Sequence, residues 1–339
     1  MKPNQEQLDE YKQSGETFCP YLFLHYHLDT DKASKLCCHT TDSINGKQLD
    51  FNDPVYNKLR SDSLSNNKIT ECQRCYEAED NGFTSLRQRC IDDIQQLDKT
   101  DFLFDQVNKV QNNVDIEPVW YDLRISNNCN LTCIMCGPKY SSAWAKEKNE
   151  EDSHLLYEPD IQISPNTYKI QLAGGEPFMI KKFARMLEKI NNTDCEIVVN
   201  TNATIVTKPL LDQLKRFKNV FMVISIDGYN KLNTHIRQKS NWEIIVKNIN
   251  LFQQCGFTVL VNTVLQKDNV GDLYSLGMFL EGVGIDDWII SPLFVPDNLR
   301  WDQQSNINVE DIKKTVELTS VKRNENSLSL LQHIIKELS

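Results

Sequence analysis

The chain of 339 residues has no long apolar run, no excess of positive charge, no internal repeat and no low-complexity tract. Each absence excludes something. No uninterrupted apolar stretch approaches the length that crosses a bilayer, and the opening residues MKPNQEQLDEYK lack the apolar core of a secretory signal. A soluble, cytoplasmic protein without a membrane partner is expected. Acidic residues number 47 against 37 basic ones, a net charge of -10, so the chain as a whole does not attract a polyanion and nucleic acid is not an expected partner. There is no Walker loop and no G-x-S-x-G elbow, which removes the usual supports for phosphoryl and acyl transfer.

What is present begins with cysteine. A chain that is 40% hydrophobic can bury a real core, as one large domain or two moderate ones, and eleven cysteines in such a chain point to metal before disulfides. Eight of them fall into two sets: Cys129, Cys133 and Cys136, and Cys19, Cys37, Cys38, Cys72 and Cys75. Cys195 opens a strand-like run and Cys255 ends a helix-like one, so both read as small core residues. Cys90, after the basic SLRQR, has no assignment.

The region up to Glu117 reads differently from the remainder. FCPYLFLHYHLD alternates as a strand does, a turn-like DTDKAS follows, and KLCCH completes a hairpin pattern. Short helical pieces are expected around DPVYNKLRSDSL and between Asp92 and Val114, with a boundary at Glu117-Pro118. Beyond it, six strand-like runs (VWYDLRIS, YKIQLAG, EIVVNT, VFMVISID, TVLVNTVL and DWIISP) alternate with helical ones (KKFARMLEKIN, KPLLDQLKRF, WEIIVKNINLFQQC and DLYSLGMFLEGVG). Such alternation predicts an α/β fold with a parallel sheet wrapped by helices; pattern alone does not separate an open sheet from a partial barrel. After about Pro296, NVEDIKKTVELTSVKR and LSLLQHIIKEL read as two amphipathic helices packed on the sheet.

NNCNLTCIMCG carries the chemistry. Cys129, Cys133 and Cys136 are three thiolates for one centre and leave a coordination position open, as catalytic centres do and closed structural sites do not. C-x3-C-x2-C at a strand end resembles the radical SAM superfamily. The resemblance implies a 4Fe-4S cluster on these three cysteines, chelation of S-adenosylmethionine through its unique iron, and reductive cleavage to a 5'-deoxyadenosyl radical. It also chooses the partial (β/α)6 barrel over the open sheet. Met135 stands where the family often has an aromatic residue, and its thioether can cover an adenine face.

LAGGEPF, one strand later, resembles the family's GGEP motif, which implies that Gly174, Gly175, Glu176 and Pro177 receive the methionine amino group of the cofactor. VISIDG brings Ser225 and Asp227 to a strand end that in the family meets ribose or carboxylate, Arg237 matches an arginine that can clamp a carboxylate, and Asn262 is a strand amide in want of a partner. Asn200, Thr201 and Asn202 in VNTNAT are polar at a strand end, where a plain turn is equally expected. The residues leave zinc and an iron-sulfur cluster both open for the N-terminal set, with Cys37 preferred to Cys38 as the fourth ligand beside Cys19, Cys72 and Cys75; His39 reads as a polar neighbour. FCP, CCH and CQRCYEAEDNGFTSLR resemble the twitch-type auxiliary cluster domain of SPASM/twitch proteins, here ahead of the barrel. His25 and His27 share a strand face and, with no carboxylate near in sequence, read as half-exposed.

The domains expected are therefore 1–118, a twitch-like auxiliary iron-sulfur domain and connector; 119–295, a radical SAM core; and 296–339, a helical tail. The implied function is a radical SAM enzyme modifying a peptide or small metabolite, reduced by an external donor such as flavodoxin or ferredoxin. The alternative is a non-catalytic zinc or iron-sulfur protein serving interaction or electron transfer.

Overall fold

The computed structural model describes residues 3–13, 17–31, 33–40, 44, 46–150, 161–293, 308–318 and 325–338. Its strands, in chain order, are β1 (His25–Leu28), β2 (Ser34–Lys35), β3 (Trp120–Leu123), β4 (Thr132–Cys133), β5 (Lys169–Leu172), β6 (Glu196–Thr201), β7 (Asn219–Ser225), β8 (Arg237–Gln238), β9 (Thr258–Leu265) and β10 (Asp287–Pro292). All six strands expected after Glu117 are there, as β3, β5, β6, β7, β9 and β10. The chain divides into two compact units, Met1–Ile125 with Pro159–Gln171, and Ser126–Glu158 with Leu172–Ser339.

In the first unit the strands run in the order β5, β3, β1, β2. β1 lies parallel to β3, with His25 opposite Trp120 and His27 opposite Asp122, and antiparallel to β2. The hairpin is present but shorter than expected: Tyr21–Leu24 is a turn of helix, with Pro20 already in the helical region at its N-cap. Proline presets that backbone angle, which decides the conformation of the first half of an otherwise strand-like run. The helices Pro54–Leu64, Leu86–Gln96 and Thr100–Gln111 bury Tyr56, Ile91, Ile94, Leu103 and Val107 against Phe18, Phe23 and Trp120. Ser85 caps the second of these in a full capping box with Gln88. Cys90 belongs to this core, 1% exposed.

In the second unit β6, β7, β9 and β10 form a parallel run in that order. Their sequences alternate because only one face is covered. Ile197, Val199, Met222, Ile224, Val259, Val261 and Trp288 are buried, while Val198, Asn200, Val223, Ser225, Leu260 and Asn262 on the opposite face are half-buried. The connections within this run carry the helices Lys208–Leu214, Trp242–Gln254 and Leu273–Gly282, as parallel neighbours require, and Lys181–Glu188 precedes β6. Cys195 is fully buried before β6 and Cys255 closes the helix Trp242–Gln254. Of the tail, Val309–Glu317 and Glu325–Leu338 are helices; the first packs on Leu273–Gly282, and Ser327 of the second donates to and accepts from the backbone of Ile290 in β10. Among the described residues no helix is long and apolar enough to cross a membrane.

Candidate active site

The three-cysteine loop lies in the second unit, and the short helix Ser142–Lys148 holds it in shape. The Cys129 N–H donates to Ser142 Oγ at 3.1 Å, and that hydroxyl donates back to the Cys129 carbonyl at 3.0 Å. Trp144 Nε1 donates to the Cys133 carbonyl at 2.8 Å, and the Cys136 N–H closes a turn on the same oxygen at 3.0 Å. The middle cysteine is also part of a ladder: Cys133 of β4 pairs antiparallel with Arg237 of β8. Backbone bonding therefore fixes all three positions independently of anything the thiols bind.

Around the sulfurs stand polar donors. Asn202 Nδ2 is 3.9 Å from Cys129 Sγ and Arg237 Nη1 is 4.0 Å from Cys133 Sγ. Burial pushes the Cys129 thiol up to about 12 and the Cys136 thiol to about 11, and it raises Cys133 against the pull of Arg237. Thiols in that state keep their protons at neutral pH unless a metal displaces them.

Gly174, Gly175, Glu176 and Pro177 are packed directly on this loop. The Gly175 N–H donates to the Ser126 carbonyl at 2.8 Å and the Glu176 N–H to the Asn128 carbonyl at 2.7 Å. A Cβ at Gly175 would lie 2.3 Å from the Asn128 oxygen, so only glycine allows the two backbones so close. Gly174 has φ of 112°, outside the range of L side chains. Pro177 begins a 3-10 turn, Pro177–Met179.

Glu176 is fully buried, and the chain's own donors already occupy both of its oxygens. Oε1 accepts from Thr201 Oγ1 at 2.7 Å and from the Phe178 N–H at 3.2 Å, and Oε2 accepts from the Asn202 N–H at 2.8 Å. Burial raises its carboxyl from 4.5 to about 7 in spite of these donors. The side chain ties the glycine turn to the end of β6, rather than standing free for an ammonium group. Thr201 and Asn202, weak candidates in sequence, gain their meaning here, and Asn202 also bonds Asn130 within the cysteine loop at 3.1 Å.

Arg237 and Asp227 form a buried ion pair, Nε to Oδ2 at 2.7 Å. Asp227 Oδ1 accepts from the Val264 N–H at 2.8 Å, and Asn269, omitted as a site residue from sequence, donates to the Asp227 carbonyl at 2.9 Å. Burial raises the Asp227 carboxyl while Arg237 opposes it. Arg237 thus engages an internal carboxylate through Nε, and its Nη1 faces Cys133. Ser225 and Asn262 stand opposite one another on β7 and β9, and Ser291 donates to Asn262 Oδ1 at 3.2 Å. With Asn200 they make a polar rim at the carboxyl ends of β6, β7, β9 and β10, on the half-buried face. Ser291 was missed because serine at a strand end is unremarkable until register places it beside Asn262. Met135 is half-buried in the loop.

The Radical SAM superfamily model matches residues 123–276, a stretch that includes the cysteine loop, the glycine turn, Asp227, Arg237 and Asn262. That stretch is similar to a radical SAM domain. It is similar to the tungsten-containing aldehyde ferredoxin oxidoreductase cofactor-modifying protein of Pyrococcus furiosus, 26% identical over 182 residues, covering 50% of each chain. It is also similar to the sporulation killing factor maturation protein SkfB of Bacillus subtilis, 23% identical over 176 residues, covering 51% of this chain and 42% of that one. Among solved structures, Streptococcus suis SuiB bound to precursor peptide SuiA aligns with TM-score 0.46 and 15% identity, over 85% of this chain and 69% of that one. The chain spans about half the length of the curated relatives it matches.

The three thiols on one loop are a donor set that fits an iron-sulfur cluster. Sulfurs on one tetrahedral zinc are about 3.8 Å apart, given Zn–S bonds of about 2.3 Å. Among the described residues the only three or more metal-binding donors found within 4.8 Å of one another are His25, His27 and Asp122. Among the described residues no three cysteine sulfurs meet that condition.

The second cysteine set lies in the first unit, where Cys19, Cys37, Cys72 and Cys75 line one cavity with Tyr21 and Arg87. Arg87 pairs with Glu79 and donates to the Phe18 carbonyl at 3.1 Å; the Cys19 N–H donates to Ser63 Oγ at 3.2 Å. Cys72 caps the helix Gln73–Asp80 and Cys75 is inside its first turn. Burial pushes Cys19 up to about 12 and raises the other three. Cys37 is 8% exposed and lines the cavity, whereas its neighbour Cys38 is exposed. His39 lines the same cavity and is held neutral by burial, near 4.

Proposed function

We propose that the chain is a radical SAM enzyme that binds a 4Fe-4S cluster through Cys129, Cys133 and Cys136, with an auxiliary iron-sulfur cluster on Cys19, Cys37, Cys72 and Cys75. The observation that carries this reading is the convergence of three thiols with the Gly174-Gly175 turn beside a polar rim of strand ends. When bound, the cluster and S-adenosylmethionine supply reductive cleavage of a carbon–sulfur bond and a 5'-deoxyadenosyl radical able to take a hydrogen atom from a substrate.

The chain's own part is binding and orientation. Cys129, Cys133 and Cys136 would hold the cluster and leave it a coordination position for an amino acid chelate. Gly174 and Gly175 let backbone reach that amino acid, with Glu176 holding the turn against Thr201 and Asn202. The Arg237–Asp227 pair places a cation next to Cys133, which favours thiolate at that ligand. Ser225, Asn262 and Ser291 offer hydroxyl and amide groups suited to a ribose. An external flavodoxin or ferredoxin would deliver the electron in a cytoplasmic setting. The substrate is a peptide or a small metabolite: SkfB is named for maturation of a sporulation killing factor, and the Pyrococcus relative for modifying a cofactor.

The test is anaerobic reconstitution with iron and sulfide, followed by S-adenosylmethionine and dithionite. The reading expects 5'-deoxyadenosine, lost on replacing Cys129, Cys133 and Cys136 by alanine. A triple variant that still forms 5'-deoxyadenosine would sink it.

A further inference from the structure

Sequence reads His25 and His27 as a half-exposed strand face with no carboxylate nearby. The structure corrects both points. The two histidines are 3% and 1% exposed, and the parallel pairing of β1 with β3 sets Asp122 opposite His27. Asp122 is itself 2% exposed. One donor atom from each of the three lies within 4.8 Å of the others.

From these residues we infer a metal site of its own, holding one divalent transition ion such as zinc on His25, His27 and Asp122, apart from both sets of cysteines. Two imidazoles and a carboxylate are donors that zinc and iron(II) share, and three such ligands leave room for water or a small anion. The spacing arises simply: residues i and i+2 of a strand face the same way, and the neighbouring strand supplies the third group in register.

Two further observations support the assignment. His25 Nδ1 is 3.2 Å from the Leu36 carbonyl, so that nitrogen carries the proton and Nε2 keeps its lone pair. His27 Nδ1 is 3.0 Å from Asp122 Oδ2, so this nitrogen and that oxygen are the donors close enough to share one ion. Arg124 also reaches both oxygens of Asp122 at 3.3 Å, and Lys35 pairs with Asp29 at 2.8 Å.

The site stands next to the four-cysteine cavity without sharing donors. The ring of Tyr21, which lines that cavity, meets the His25 ring edge-on with centroids 4.6 Å apart, and Leu36 also lines it. Imidazole and carboxylate donors would therefore select a different ion from the one the thiols take.

The experiment uses the full chain with its iron-sulfur sites reconstituted, dialysed against zinc and then washed. Zinc per chain is counted by mass spectrometry, and zinc-edge X-ray absorption reads its ligands. A single retained zinc with nitrogen and oxygen scatterers at about 2.0 Å and none of sulfur at about 2.3 Å is expected. His27→Gln should weaken retention at least about tenfold, and Asp122→Asn by roughly tenfold to a hundredfold, with iron content unchanged. No retained zinc, sulfur in its first shell, or undiminished binding in a folded His27→Gln protein overturns the assignment. The spectrum of the unaltered protein decides even where a variant fails to fold.

Discussion

The two cysteine sites differ in ways that follow from where their ligands sit. In the second unit three thiols share one short loop, and the loop is braced by backbone bonds to Ser142, Trp144 and β8. In the first unit four thiols come from three separate segments and converge only because helices and a hairpin bring them together. In the proposed reading, three ligands on one loop leave a vacancy, while four ligands around one cavity would close it. The lesson is that openness is encoded by ligand number and closure by tertiary packing, so the first can be read from spacing and the second cannot.

The comparison can be broken most severely at the open site. Alanine at Cys129, Cys133 and Cys136 together should abolish 5'-deoxyadenosine formation and remove one cluster's share of iron, with the remaining iron still bound; loss of all iron would show that the two sites are not independent. Next in size, Cys72→Ala should remove the other share of iron yet leave S-adenosylmethionine binding by equilibrium dialysis within about threefold of the unaltered protein. A much larger loss would deny the division of labour.

Gly175→Ala tests the bracing of the open site. Its new methyl meets the Asn128 oxygen at 2.3 Å. Overpacking of that kind costs about 1–3 kcal/mol, and the thermal midpoint should fall by several degrees. Glu176 adds a pH dependence. Its carboxyl is raised from 4.5 to about 7 in the folded protein, so its stabilising contribution is full below about 4.5 and falls away as pH rises through 7. The stability of the unaltered protein minus that of Glu176→Gln, from urea denaturation, should therefore shrink between pH 5 and pH 7.5; a constant difference would show that the shift is absent. The smallest effect belongs to the exposed neighbour of a proposed ligand: Cys38→Ser should leave iron content unchanged, while Cys37→Ser lowers it.

Much of the open site was legible because it is local. C-x3-C-x2-C, GGEP and the six alternating strands each lie within a few residues, and the helices between strands carry their own periodicity. What pairing across the sheet decides was not legible. Asp122 is 95 positions from His27, and Ser291 is 29 from Asn262; only strand register makes them neighbours. Charge pairing hid the roles of Arg237 and Asp227 in the same way, since ten residues of sequence give no sign that the two are in contact. The twist at Pro20 escaped for a different reason: a strand-like run of apolar residues is equally compatible with one buried turn of helix.

The most direct test of the contrast is electron paramagnetic resonance of the reduced, reconstituted protein before and after S-adenosylmethionine. The account expects two cluster signals, of which the one lost in the Cys129, Cys133 and Cys136 variant shifts when S-adenosylmethionine is added, while the one lost in Cys72→Ala stays where it was. A shift in the four-cysteine signal alone, or in neither, would contradict it.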